Sequence, residues 1–168
     1  ETEWIEFKTN NSNPEMIGQR ISALANSACR LGAPTAYMVW GIDDETHKVV
    51  GSSFRYRLVK KGNEELENWL HHQLTDNASF EFAEGEVGGM HVTVLMVHAS
   101  FYHTVDFERV PYVRVGSYTK KLREYPTIES EVWGRITKFD FESVTARGGL
   151  PLPDALSLLD FPKYFDLL

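Results

Sequence analysis

Apolar positions along the chain fall into two periodicities. Ile17, Ile21, Leu24, Ala25 and Ala28 recur at helical spacing and predict one amphipathic helix. Asn13 is its expected N-cap, with Pro14 at the first helical position and Glu15 in the first turn. Gly32 and Pro34 end it. Gly18, Ser22, Ala23 and Ala25 are small enough to let it lie close to a sheet. Trp4, Ile5 and Phe7, set among Glu3, Glu6 and Lys8, predict a short strand before it. After it, 36–42 (AYMVWGI) is continuously apolar and reads as a buried central strand. A turn at 43–46 and a return strand over 47–50 complete an expected hairpin, and 51–62 reads as a basic loop.

A second helix is expected over 63–76, with Leu66, Trp69, Leu70 and Leu74 on one face. Phe80 and Phe82 alternate with glutamates and predict an edge strand over 80–86. Gly88-Gly89 makes a tight turn into 90–99 (MHVTVLMVHA), the strongest strand pattern in the chain. Residues 101–105 either continue it or begin a new edge. Residues 112–115 are expected as the last strand, stopped by Gly116-Ser117, with a helix starting at Thr119 and broken by Pro126. Ile128, Val132 and Ile136 space as a further helix. A Gly/Pro-rich break over 148–153 and a short helix capped by Asp154 follow. The sum is an α+β fold: a mixed, largely antiparallel sheet packed with two main helices over 1–125. A mostly helical extension or linker over 126–168 follows it. No repeat or low-complexity segment occurs.

The 168 residues suffice for one domain, and 42% apolar content builds a core. No apolar run reaches the roughly 18 residues of a membrane span, so a soluble, cytoplasmic protein is expected. The single cysteine, Cys29, forms no internal disulfide and is expected to be buried. The first residue is Glu and the chain ends on Leu167-Leu168, which reads as a piece of a longer protein.

Net charge is −7, against a simple nucleic-acid binder, but its distribution changes that picture. Residues 52–61 carry four cations (Arg55, Arg57, Lys60, Lys61) and no acid. Residues 62–108 carry nine acids and no Lys or Arg. Residues 109–123 carry five cations (Arg109, Arg114, Lys120, Lys121, Arg123) and again no acid. Two basic blocks in an acidic chain make one positive face if the fold unites them. Arg114, Ser117, Thr119, Lys120 and Lys121 are the binding candidates, with Tyr118 able to stack on a base, and Arg55 and Arg57 from the first block. The competing reading is a solvated loop. No phosphate-binding Gly-x-x-x-x-Gly-Lys-Ser/Thr occurs, and the six histidines show no ligand spacing.

Three segments stand in order: ETEWIEFK, then ISALANS with YMVWGIDD and VVG, then PYVRVGSYTKK. Together they resemble the Schlafen/AlbA-type DNA-binding domain, over about 1–125. One departure is visible: the family has Gly-Gly soon after its Ala-Asn-Thr, where this chain has Ser27 to Pro34 with a single Gly. No Cys/His zinc site of the kind found in some Schlafen proteins is present.

The resemblance implies a nucleic-acid-binding, DNA-directed module of a larger bacterial transcriptional regulator. It also implies an alternative. Schlafen-type ribonucleases use three carboxylates, and Glu1, Glu6 and Asp44 stand at the matching positions, with Asp43 as the alternate third. Carboxylate oxygens hold Mg²⁺ or Mn²⁺, which activates water and offsets phosphate charge. The competing reading is an ordinary acidic hairpin turn. Lys8 is expected to pair with a carboxylate. No cofactor is expected unless the nuclease reading holds. A third reading, favoured by the acidic total and apolar end, is an interaction module that forms a homodimer.

Overall fold

Asparagine and proline start the main helix as expected, and glycine ends it. In the computed structural model, which describes residues 3–137, β1 (Ile5–Lys8) leads into α1 (Pro14–Leu31). The Asn13 side chain accepts a hydrogen bond from the Met16 N–H at 2.8 Å. Gly32, at φ 70°, closes the helix: its N–H donates to Cys29 O and that of Ala33 to Ala28 O. Most of the segment from Ser27 to Pro34, where the family pattern has its Gly-Gly, is therefore helix.

β2 (Thr35–Trp40) follows, then β3 (Lys60–Lys61), β4 (Glu64–Glu65) and α2 (Leu66–Gln73). The expected return strand over 47–50 contributes only one bridge, Ile42 to Val49. The second helix is shorter than its pattern because Gly62, at φ 62°, turns β3 back on β4. At its other end Leu74 leaves the helix to bridge Phe107. β5 (Phe80–Val87) and β6 (Met90–His98) form the expected hairpin. β7 (Asp106–Phe107), β8 (Val110–Val115), β9 (Tyr118–Lys121) and α3 (Pro126–Ile136) complete the described fold. The sequence reading stopped at β8 and placed a helix from Thr119. Instead Gly116, at φ 59°, turns the chain and pairs Val115 with Tyr118, so 118–121 is a strand. The expected break over 148–153 and the helix from Asp154 lie outside the described residues.

The larger sheet has the order β1-β2-β6-β5, parallel only between β1 and β2. The expected central strand, β2, is interior. A second sheet has the order β7-β8-β9. α1 packs against both sheets, and this decides its composition. Ile17, Ile21, Leu24 and Ala28 join Met38, Trp40 and Leu95 in the main core. The opposite flank is buried too, but it is polar. Ser22 donates to Val105 O (2.6 Å) and accepts from the Tyr112 N–H (2.9 Å). Asn26 donates to Val105 O and Tyr112 O and accepts from the Val105 N–H. Ser27 accepts from the Arg114 N–H at 2.9 Å. These side chains act as a neighbouring strand for backbone groups of Val105, just before β7, and of Tyr112 and Arg114 in β8. Buried backbone groups must be paired, so the helix supplies what a sheet would. At Gly18 a Cβ would overlap the Phe107 ring, which sets how closely helix and β7 approach.

Replacing Asn26 with Ala leaves Val105 and Tyr112 groups buried and unpaired. Asn26→Ala is expected to cost at least about 2 kcal/mol in urea unfolding, with Ser27→Ala costing less because it strands one donor.

Candidate functional site

Alternation along β1 turns Glu6 and Lys8 to the same side of the strand. Glu6 is 1% exposed. A carboxylate so buried needs charged partners, and three elements supply them. Arg114 of β8, itself 0% exposed, donates from Nη1 to Glu6 Oε2. Arg20 of α1 places Nε 3.0 Å from Oε1. Lys8 of β1 places Nζ 3.2 Å from the same oxygen. Arg20 Nη1 also donates to Thr119 Oγ1, the residue paired with Arg114 across the β8–β9 hairpin. The cluster therefore ties an edge strand, the central helix and the hairpin together.

Lys8 Nζ reaches one acid further, donating to Asp44 Oδ2 at 3.2 Å and to Phe7 O at 2.7 Å. The expected pairing of Lys8 with a carboxylate takes this form. Of the two turn aspartates, Asp44 faces the cluster. Asp43 serves the turn: its Oδ1 accepts from the Thr46 hydroxyl (2.7 Å) and N–H (2.8 Å). Those bonds, the hydroxyl first, hold the Asp43 carboxyl below its usual range. Two members of the carboxylate set thus meet through one lysine. Glu1, the third, lies outside the described residues. Among those described, no group of three or more His, Cys, Asp or Glu is placed to hold a metal. A divalent cation between Glu6 and Asp44 would have to displace the Lys8 ammonium, so these two carboxylates as arranged do not fit one.

The basic candidates separate by exposure. Arg114 is enclosed, and Thr119 is half-buried against Arg20. Ser117, Tyr118, Lys120 and Lys121 are exposed on the hairpin. Tyr118 is 68% exposed, with Lys120 Nζ 5.7 Å from its ring centroid. Both lie on one face of β9, opposite Val115 and Val113. Val113 packs with Leu122 and Val132, so the hairpin has a fixed base. In the first block, Arg55 is folded back onto Ser52 O and Phe54 O. Arg57 donates from Nε to Tyr56 Oη at 2.9 Å, and Lys61 pairs with Glu15. Among the described residues, no hydrogen bond or ion pair of Arg55, Arg57, Lys60 or Lys61 reaches β8 or β9. Tyr56 stacks on Phe82 and anchors that loop to the larger sheet.

Cys29 is buried as expected, and burial pushes its thiol pKa up. His91 lies near Phe54 O and Thr93 Oγ1, and His98 near Thr35 Oγ1, as structural histidines do. Sequence reasoning overlooked Arg20. Its signal was that it is the one charged residue on the helix between Glu15 and Arg30.

Removing Glu6 would leave buried cations unpaired. Glu6→Ala is expected to cost about 3–5 kcal/mol, and Glu6→Ala with Arg114→Met to recover much of it. Urea unfolding of the double-mutant cycle measures this, and simple additivity would rule out coupling.

A family model described as Schlafen, AlbA_2 matches residues 1–123. No curated protein matches. Among solved structures, the DIP2311 protein from Corynebacterium diphtheriae is similar at 16% identity and a TM-score of 0.45. The match covers 71% of this chain but only 22% of that one. No described helix is long and apolar enough to cross a membrane. The ordered motifs, the α+β architecture and the match over most of the chain agree: this chain belongs to the Schlafen, AlbA_2 family.

Proposed function

We propose that this chain is a nucleic-acid-binding module, and that the β8–β9 hairpin is its contact surface. Membership of the Schlafen, AlbA_2 family supports a nucleic-acid-related function. One observation carries the choice of surface: Tyr118 stands 68% exposed beside the Lys120 ammonium. A free aromatic face with adjacent cations offers base stacking and phosphate charge together. Ser117 and the backbone around Gly116 add donors at the tip. Arg114, Arg20 and Glu6 hold the hairpin's base and act as positioning residues. In the finer reading the polymer is DNA, and the module serves a larger bacterial transcriptional regulator. Arg55 and Arg57 then contribute only through the long-range field.

Fluorescence anisotropy with short single-stranded DNA and RNA tests this. Tyr118→Ala should weaken binding by the equivalent of about 1–3 kcal/mol. Lys120→Ala should lower the slope of log affinity against log salt by about 0.7. Absence of salt-sensitive binding to either polymer at about 50 mM salt would overturn the reading.

A further inference from the structure

Away from Tyr118 and Lys120, the turn between β7 and β8 is built against its own conformational preference. Two residues, Glu108 and Arg109, join Phe107 to its partner Val110. Both have left-handed backbones, at φ 49° and 65°. Such a two-residue turn is normally made by Asn-Gly or a similar pair. A side chain in this region costs energy that glycine avoids. Strain of this kind concentrates where a side chain is wanted for a purpose.

Arg109 opens onto a cavity of about 320 Å³, lined by Arg109, Val110, Pro111, Lys121, Arg123 and Glu124. Three cations and one carboxylate line it. All three cations are exposed, and none has an ion pair among the described residues. They come from three places: the strained turn, the end of β9, and the single helical turn after it. Val110 and Pro111 form an apolar wall.

Three positive charges less one negative leave two. A phosphate monoester carries about 1.5 to 2 negative charges near pH 7, whereas a diester within a strand carries one. Arginine forks match phosphate oxygens in bidentate geometry. A concave pocket closed on one side also suits a group that ends a molecule better than one that passes through. We propose that the Arg109–Lys121–Arg123 pocket binds a phosphomonoester. Either the 5′-phosphate end of a nucleic acid or a free mononucleotide would present that group.

The test uses the whole chain and two variants. Arg109→Gly relieves the left-handed strain, so it should melt no lower than wild type while losing the ligand. Arg123→Ala leaves the turn untouched. The probes are AMP and a short oligonucleotide carrying either a 5′-phosphate or a 5′-hydroxyl. A 5′-phosphate preference of at least about tenfold, lost in both variants, supports the pocket and identifies a strand end as the source. AMP binding that both variants abolish, without a 5′-phosphate preference, supports it and identifies a free nucleotide. AMP binding can survive even if Tyr118 and Lys120 bind no strand, so the two readings fail separately. If neither AMP nor the 5′-phosphate is distinguished, or if Arg109→Gly and Arg123→Ala bind like wild type, the pocket is overturned.

Discussion

A buried carboxylate is the constraint on which this fold turns. Glu6 sits on an edge strand, where a polar residue would ordinarily face water. Here it points inward and must be neutralised there. Its partners come from the strand itself, from the central helix and from the small sheet. No two of these elements can shift without breaking a charged contact. Replacing a whole buried ion cluster with well-packed apolar side chains is often neutral for stability or better. What the cluster supplies is a fixed relation between β1, α1 and the hairpin.

That relation divides the basic residues of the hairpin by task. Arg114 and Thr119, opposite one another in the ladder, are turned into the structure. Val113 anchors the other face of the ladder in a small apolar core, while Tyr118 and Lys120 project beyond it. Strand alternation alone produces this division. It makes a run of cations that looks uniform in sequence into one structural arginine and two exposed lysines. The acids divide too, in a turn rather than a strand, with Asp43 closing its turn and Asp44 reaching the cluster.

The sequence made some of this plain. Capping at Asn13-Pro14 and Gly32 marked the main helix at both ends, because those signals are local. The central strand and the β5–β6 hairpin were legible from apolar runs bounded by glycine. β9 was not, because Thr-Lys-Lys-Leu suits a helix or a strand, and only the turn at Gly116 decides. Glu6 was singled out for chemistry, but its burial was hidden, since Arg114 lies 108 residues away. The Ala25-Asn26-Ser27 motif could be recognised without its reason being visible. Its polar side chains pair with backbone groups of β8, a partner more than 80 residues on.

The hydrogen bonds from α1 to the β7–β8 region span 79 to 90 residues of sequence. The helix can form soon after its own residues leave the ribosome, but its Ser22–Asn26–Ser27 flank is fully partnered only after Arg114 has emerged. At the usual pace of synthesis that delay is roughly 4–18 s. Through it, the flank that will later be buried stays hydrated, being made of serine and asparagine rather than leucine. Docking of the small sheet is thus a late, long-range event of the kind that slows folding. A nascent chain halted before β8 would carry the helix and the larger sheet with nothing to close them.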